Sequence, residues 1–370
     1  MVARRPRTAA AARVYNPPST PAGAESRRVI EKGAVTMRPS RLLPLTIACI
    51  AIAVATLAPR TTAAQRHTGT GAALYPIVVG DRWGYAARDG KIVANPQFDE
   101  ARAFSEGMAA VKLSHRFGFV DATGVLAVTP QFDSAGDFSD GLAWVEVEDR
   151  FGYIDKAGKL LINPQFDKAT DFADGLAAVK LGKQWGFIDT TGHFAINPQF
   201  EEVGPFADGL APAKIGDRWG YIDTDGKIAI NPQFERAGEF GDGLAPVRVE
   251  DRWGYVDRKG WMAVNPQFKE AWTFSEKLAR VKVGDRFGFV DTGGKLAINP
   301  QFDEAADFSQ GLAAVAIKDR WGYVDHKGTF AINPQFDEAW PFSHGLARVK
   351  LERSFGYVDT AGKYVYNPTK

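Results

Sequence analysis

Histidines and one carboxylate-rich turn are the residues whose types could bind a metal ion. The five histidines are His67, His115, His193, His326 and His344. They occupy different positions of a repeated sequence pattern, so stacking of the repeats would not align them as ligands of one ion. The turn Asp223–Lys227, with the sequence DTDGK, resembles the start of a calcium-binding loop but lacks the later glutamate ligand. We therefore predict no metal site and no cofactor.

Carboxylates are the remaining residues that could support catalysis. No nucleophile elbow, zinc-protease helix, phosphate-binding loop or dinucleotide fingerprint occurs in the 370 residues. Asp and Glu occur in every repeat, so a carboxylate pair for glycoside hydrolysis stays open at the sequence level. A site built from one repeat would, however, be copied in all of them. We predict a protein that is not an enzyme and has no catalytic residues.

Large aromatic side chains in the loops are candidates for binding. Trp272 and Trp340 share one loop position, and Trp144 and Trp261 lie outside the repeated motif. At the position of Trp272 the other repeats have Arg102, Gly136, Thr170, Gly204, Gly238 and Ala306. Aromatic rings on loops can stack on sugars or form protein interfaces, but they can equally fill a gap between repeats.

An arginine stripe offers a second candidate surface. It consists of Arg82, Arg116, Arg150, Arg218, Arg252, Arg286 and Arg320, and is interrupted by Gln184 and Ser354. Arg218, Arg252, Arg286 and Arg320 are the members that we propose as binding residues. The stripe could contact an anionic envelope polymer, or it could form ion pairs between repeats.

These candidates are positioned by a repeat of 34 residues, illustrated by residues 217–234, DRWGYIDTDGKIAINPQF. The aromatic residue that precedes Gly recurs nine times, at Trp83, Phe117, Phe151, Trp185, Trp219, Trp253, Phe287, Trp321 and Phe355. The Trp-Gly pairs to which we assign a structural role are Trp83-Gly84, Trp185-Gly186, Trp219-Gly220, Trp253-Gly254 and Trp321-Gly322. Asp223 and Gly226 belong to an Asp-x-x-Gly turn, in which Asp accepts amide hydrogen bonds and Gly takes a positive φ.

Each repeat predicts short β-strands rather than helices, because Gly and Pro interrupt every window long enough for a helix. In LAPVRVEDRWGYVD, apolar and polar residues alternate as expected of a strand. We predict three strands per repeat, with the third ending at Asn-Pro because Pro lacks a ladder donor. The fold class is therefore all-β, with nine tandem three-stranded antiparallel meanders.

Closure of the array is an open question at the sequence level. The chain enters and leaves the pattern at the same position, so no strand is obviously shared between the first and last repeats. We therefore favour an open β array or superhelix, with a closed propeller-like ring as the alternative. Both strand faces are partly apolar, so we expect each repeat to be covered on both sides by its neighbours.

Over residues 75–368 the sequence resembles the bacterial WG-repeat proteins, also called KWG repeats. The resemblance rests on Trp-Gly-Tyr-Ile-Asp, the following Gly-Lys, and Asn-Pro with an aromatic residue after it, all in strict phase. It implies an all-β repeat module, common in envelope or secreted proteins, with no agreed biochemical activity.

The N-terminal region differs from the repeats in composition. Residues 1–36 are rich in Ala, Arg and Pro, which indicates disorder or an upstream start codon. Residues 37–64 have two arginines, an apolar run over residues 42–58 and small residues before Gln65, which is the layout of a signal peptide. The apolar run could instead remain as a membrane anchor. Residues 65–73 would form a linker to a repeat domain at residues 74–370.

Charge helps to define the partner. The chain has 45 basic residues (Lys and Arg) and 44 acidic residues (Asp and Glu). Residues 1–64 contain ten of the basic and two of the acidic residues, so the remainder has 35 basic and 42 acidic residues and a net charge of −7. This balance argues against a nucleic-acid partner. We predict an exported, periplasmic or extracellular module that binds an envelope or extracellular protein. The alternative is carbohydrate or cell-wall polymer binding through the loop aromatics and the arginine stripe, and contact with the membrane is expected only through an uncleaved N-terminal segment.

Overall fold

A computed structural model describes residues 73–369 of the chain. The segments predicted as an upstream extension, a signal peptide and most of the linker lie outside these residues. No helix of the described part is long and apolar enough to cross a membrane.

The described residues form nine antiparallel sheets, which we call blades 1–9 in chain order. Blades 1–3 consist of β1 (Leu74–Val79), β2 (Arg82–Ala87), β3 (Ile92–Phe98); β4 (Glu100–Ala101), β5 (Met108–Leu113), β6 (Arg116–Asp121), β7 (Leu126–Phe132); β8 (Ser134–Ala135), β9 (Ala143–Val147), β10 (Arg150–Ile154) and β11 (Leu160–Phe166). Blades 4–6 consist of β12 (Lys168–Ala169), β13 (Leu176–Leu181), β14 (Gln184–Asp189), β15 (Phe194–Phe200); β16 (Glu202–Val203), β17 (Leu210–Ile215), β18 (Arg218–Asp223), β19 (Ile228–Phe234); β20 (Arg236–Ala237), β21 (Leu244–Val249), β22 (Arg252–Asp257) and β23 (Met262–Phe268). Blades 7–9 consist of β24 (Glu270–Ala271), β25 (Leu278–Val283), β26 (Arg286–Asp291), β27 (Leu296–Phe302); β28 (Glu304–Ala305), β29 (Ala313–Ile317), β30 (Arg320–Val324), β31 (Phe330–Phe336); β32 (Glu338–Ala339), β33 (Leu346–Leu351), β34 (Ser354–Asp359) and β35 (Tyr364–Thr369).

Blades 2–9 each contain four strands in sequential order, one more than predicted. The additional strand has two residues, as in β16, which pairs with β17 through Glu202↔Lys214 and Val203↔Ala213. It was missed because two residues carry no detectable alternation. The predicted three-stranded meander is otherwise confirmed, with β17, β18 and β19 as consecutive antiparallel neighbours.

The third long strand continues through Asn-Pro-Gln-Phe, so the prediction that Pro ends it is wrong. In β19 the register with β18 shifts between Tyr221↔Ile230 and Trp219↔Phe234, so an irregularity absorbs Pro232. A Cβ on Gly220 would lie 2.5 Å from the carbonyl oxygen of Ile230 and 2.8 Å from the nitrogen of Pro232. Glycine therefore follows Trp because the backbone of the next strand crosses at this point.

The Asp-x-x-Gly turns have the predicted construction. Asp223 Oδ1 accepts hydrogen bonds from the amides of Asp225, at 3.1 Å, and Lys227, at 2.8 Å. Gly226 has φ +77°, and its Cα packs against Ile196 of the preceding blade. The turn therefore joins two strands and contacts the neighbouring blade.

The hydrophobic core lies between blades. One cluster contains Leu176, Phe187 and Phe200 of blade 4 together with Phe206 and Ile222 of blade 5. The other interfaces repeat this arrangement, which confirms that each repeat is covered by its neighbours. A recurring contact is a tilted or edge-on aromatic pair such as Phe187 and Phe206, with ring centroids 4.7 Å apart.

The blades close into a nine-bladed β-propeller ring. Tyr75, Ile77 and Ala86 of blade 1 share a core cluster with Leu346 and Tyr357 of blade 9. The contact also reproduces the ordinary blade interface. Gly90 lies against the backbone of Val365, as Gly124 lies against Val93 one blade further along. The open array that we favoured is therefore wrong, and the alternative, a closed ring, is observed.

Tyr75 explains why the sequence does not reveal this closure. The equivalent residue of the other blades is always Ala, at 109, 143, 177, 211, 245, 279, 313 and 347. Its ring lies 5.3 Å from the ring of Tyr357 and its hydroxyl donates to the carbonyl of His344 at 2.8 Å. Tyr357 in turn donates to the carbonyl of Pro76 at 2.8 Å. Side chains, not an exchanged strand, supply these contacts between the two ends of the described chain.

Candidate functional site

Three of the four candidate tryptophans are packed in the structure. Trp272 and Trp340 are half-buried, and the guanidinium groups of Arg280 and Arg348 lie 4.1 Å from their respective ring centroids. These arginines come from the neighbouring strand, since the amide of Trp272 bonds to the carbonyl of Arg280. This arrangement matches the gap-filling interpretation, with a cation–π contact added.

Trp144 takes part in a contact between the same two positions, but here the large side chain is on the strand and the small residue is in the loop. Gly136 stands at the loop position of Trp272, and Trp144 at the position of Arg280. A Cβ on Gly136 would lie 2.1 Å from the indole nitrogen of Trp144. Trp144 therefore packs over a glycine, and the residue pair at these two positions varies as a unit.

Trp261 differs from the other three. The residue is 72% exposed, and it follows Gly260 of an Asp-x-x-Gly turn. It takes no part in the aromatic or cation–π contacts found among residues 73–369. Trp261 is therefore the one candidate ring among these four that the fold presents to solvent.

The arginine stripe is a row at one end of the strands, and five of its members form ion pairs. Arg82, Arg116, Arg150, Arg286 and Arg320 bond to Asp99, Asp133, Asp167, Asp303 and Asp337, respectively. Each Asp directly follows the third long strand and lies at the junction with the next blade. The side chains of Arg218 and Arg252 have no hydrogen bond or ion pair within the described part of the chain. Most of the predicted basic surface is therefore neutralised by the protein itself.

A second row, which the sequence reasoning missed, lies in the tight turns between the two-residue strand and the first long strand. Six successive blades carry a carboxylate there, and we call this row the carboxylate arc; its members are Glu106, Asp140, Asp174, Asp208, Asp242 and Glu276. Gln310 and His344 continue it. All eight residues have φ between 49° and 55°, a conformation that Asp tolerates better than most residues.

Each carboxylate of the arc bonds to the next blade. Asp140, Asp174 and Asp208 accept hydrogen bonds through Oδ2 from the amides of Gly175, Gly209 and Gly243, at 3.0, 2.9 and 3.3 Å. The neutral amide of Gln310 does the same for Gly345 at 2.7 Å. A regular spacing of acidic residues could have revealed the arc in the sequence, but Asp and Glu are frequent at several positions of the repeat.

The arc lies at the end of the ring opposite to the arginine row. Lys156, in an Asp-x-x-Gly turn, is 3.3 Å from Glu106, and His326 in the equivalent turn is 3.1 Å from Glu276. The arc and these turns therefore share one end of the strands, whereas the arginines begin the same strands. A strand of six residues places the two ends roughly 17–20 Å apart.

Three half-buried carboxylates, Asp137, Asp171 and Asp307, each have one buried oxygen. The carboxylate of Asp137 lies 3.9 Å from the guanidinium of Arg102, and that of Asp307 lies 3.2 Å from the guanidinium of Arg280. Burial, with a smaller contribution from the neighbouring charge of Asp137, raises the pKa of Asp171 to about 6. Since each has an oxygen without a hydrogen-bond partner within residues 73–369, these groups carry an unfavourable desolvation cost.

No group of three or more His, Cys, Asp or Glu side chains suited to a metal ion is found in the described residues. In the candidate calcium turn Asp223–Lys227, the carboxylate of Asp223 accepts backbone amides, and Asp225 pairs with Lys227 at 3.0 Å.

A comparison with protein families agrees with the repeated blades. The sequence matches the family described as "WG containing repeat" at residues 83–114, 117–150, 151–185, 185–219, 219–253, 253–286, 287–321 and 321–352. A search of curated proteins finds no match.

Solved structures show likeness in fold alone. A structure described as "Crystal structure of the eukaryotic initiation factor" is 10% identical, covers 81% of this chain and 98% of its own, and has a TM-score of 0.58. Two weaker likenesses are Hsv2p of Kluyveromyces lactis, 9% identical over 60% of this chain and 91% of its own with a TM-score of 0.40, and the dihydro-heme d1 dehydrogenase NirN, 11% identical over 72% and 73% with a TM-score of 0.42.

Proposed function

The chain belongs to the WG-repeat family, and we propose that it is a non-catalytic interaction module that is exported to the cell envelope and binds a protein there. Its N-terminal residues 37–64 support export through their signal-peptide layout. A repeat ring supports interaction because its repeated residues maintain the blade interfaces and leave the turns for recognition.

The observation that carries this proposal is the carboxylate arc. Asp140, Asp174 and Asp208 are exposed and stand on three successive blades, with one oxygen of each held by a glycine amide. Within the described residues the second oxygen of each has no hydrogen-bond or ion-pair partner. Each of the other three members contacts a basic residue, namely Lys156, Lys277 or His326.

These three carboxylates fit a basic segment of a protein partner. The amide bonds fix the side chains before binding, so little side-chain entropy is lost when Lys or Arg groups of the partner approach. The net charge of −7 outside residues 1–64 would also attract a basic partner at long range.

Replacing Asp140, Asp174 and Asp208 together by Asn tests the proposal. Asn can still accept the glycine amide, as the Gln310 side chain does, while the three charges are removed. We expect the triple variant to fold with unchanged thermal stability and to lose its partner. The control is the triple change Glu148→Gln, Glu250→Gln and Glu352→Gln, which removes three exposed charges at the opposite end of the strands.

The readout is crosslinking in the native cell, followed by mass spectrometry of material captured with a tagged full-length chain. Capture of one or two polypeptides by the wild type and the control, but not by the Asn variant, supports the proposal. Equal capture by all three, or capture of glycan fragments alone, contradicts it. A chain lacking residues 42–58 should capture none of these partners, and equal capture by that chain would refute export.

A further inference from the structure

The junctions between blades repeat one polar arrangement at the arginine end of the ring. At the junction of blades 8 and 9, Arg320 bonds to Oδ1 of Asp337, and the amide of Glu352 bonds to Oδ2 of the same residue. One carboxylate thus receives a guanidinium from one blade and a turn amide from the next.

The same arrangement is found at three further junctions. Asp133 receives Arg116 and the amide of Glu148, at 3.0 Å. Asp167 receives the guanidinium of Arg150 and the amide of Gly182. Asp303 receives the guanidinium of Arg286 and the amide of Lys318. Four junctions therefore hold one carboxylate with the same two donors, so the arrangement is not peculiar to one pair of blades.

The junction of blades 6 and 7 has both donors but a cation in place of the carboxylate. Arg252, Lys269 and Gly284 stand at the positions of Arg320, Asp337 and Glu352. The register is the same, since Trp253↔Phe268 corresponds to Trp321↔Phe336. Among residues 73–369 neither the guanidinium of Arg252 nor the amide of Gly284 has a hydrogen-bond partner.

The surroundings of this junction keep it cationic. Lys269 is 2.9 Å from Asp285, at the tip of the turn that follows Gly284. The side chain of Asp285 is 91% exposed, so solvent weakens this pair and an incoming acid can compete for the lysine. The adjacent Arg248 is already engaged by Glu235 and Asp251.

We propose that the junction of blades 6 and 7 binds a carboxylate from an acidic peptide segment of a partner, through Arg252, Lys269 and the amide of Gly284. The ligand class follows from the four sibling junctions, each of which places an Asp carboxylate between these same two donors. The site lies at the opposite end of the strands from the carboxylate arc and does not depend on the role proposed for it.

The test uses the full chain and two fluorescein-labelled peptides, hexaglutamate and hexaglutamine, in anisotropy titrations at low ionic strength. We expect the wild type to bind hexaglutamate and not hexaglutamine. Lys269→Asp places a carboxylate of the chain itself at the junction, so it should lower the affinity about tenfold or more, as expected for loss of a charged hydrogen bond. Its thermal stability should be unchanged or higher, because Arg252 gains a partner.

Two matched variants separate the site from general electrostatics. Lys318→Asp makes the same change in charge on the turn of blade 8, and it should leave hexaglutamate binding within about twofold of the wild type. Asp303→Lys converts a sibling junction into the arrangement of blades 6 and 7, and it should create a second site for hexaglutamate.

Three outcomes would overturn the proposal. The first is equal binding of the two peptides by the wild type. The second is an equal loss of affinity in Lys269→Asp and Lys318→Asp, which would show attraction by net charge only. The third is full hexaglutamate binding by an Arg252→Gln/Lys269→Gln variant that is folded by circular dichroism.

Discussion

The contact between Tyr75 and Tyr357 leads to the most specific prediction about the fold. Tyr75 is 6% exposed and packs against Tyr357 across the closing interface, at a position where the other blades have alanine. Replacing Tyr75 by Ala therefore restores the residue of the sibling blades but removes packing from the closing interface.

The size of the effect follows from the contacts that are lost. Truncation of a buried aromatic ring costs about 3–5 kcal/mol of the free energy of unfolding. About 1 kcal/mol of this belongs to the hydrogen bond from the Tyr75 hydroxyl to His344, which Tyr75→Phe removes by itself. The pairwise term between the two rings should be about 0.5–1.5 kcal/mol.

A double-mutant cycle isolates that pairwise term. Tyr75→Ala, Tyr357→Ala and their combination are compared by urea unfolding, followed by circular dichroism. The closed ring predicts a coupling energy of about 0.5–1.5 kcal/mol between residues at opposite ends of the array. Tyr75→Ala combined with Phe240→Ala, a buried ring on a distant blade, serves as the additive control. Additivity of the Tyr75 and Tyr357 changes would refute the closure.

Three further predictions concern packing, the backbone and pH. The double change Trp272→Ala/Trp340→Ala should lower the free energy of unfolding by about 3 kcal/mol or more, whereas Trp261→Ala should change it by less than about 0.5 kcal/mol; equal effects in chemical denaturation would contradict the packing role. Gly220→Ala should cost about 2–3 kcal/mol because its Cβ would meet the backbone of β19, while Gly293→Ala, whose nearest contact would be at 3.4 Å, should be tolerated. Asp171→Asn should raise the melting temperature at pH 8: the folded-state pKa of about 6 lies above the ordinary value of 3.8, so ionisation disfavours folding above pH 6. This advantage should shrink as the pH falls from 6 to 4, and an advantage that is constant over pH 4–8 would argue against a raised pKa of Asp171 in the folded state.

Much of the local structure could be predicted because the repeat presents each signal nine times. The Asp-x-x-Gly turn, the Gly that follows Trp and the alternation of the long strands each have a local physical cause, and the structure confirms them in units such as residues 217–234. The two-residue strands and the continuation through Asn231-Pro232 were missed. Both depend on how one blade crosses to the next, which no local pattern records.

Ring closure and the surface rows are long-range properties, so the sequence defines them less well. Tyr75 stands at a position where the other eight blades have alanine, and this difference is visible in the sequence. Only the structure shows that its ring packs against Tyr357 of the last blade. Likewise, the arginine stripe was visible, whereas its neutralisation depended on Asp residues 17 positions further along the chain. Arg252 differs from the five paired arginines because Lys269 stands in place of the Asp, and only that geometry shows the consequence.

The closed ring is the central feature of the fold, and a distance measurement tests it directly. Spin labels are attached to the full chain with Cys49→Ala, in one sample at Lys91→Cys and Lys363→Cys, and in another at Lys91→Cys and Val125→Cys. Both pairs join equivalent positions of blades that are adjacent in the ring, 9 and 1 or 1 and 2. Pulsed electron paramagnetic resonance should give the same distance distribution for the two pairs of spin labels. A 91–363 distance much longer than the 91–125 distance would show an open array and contradict the account.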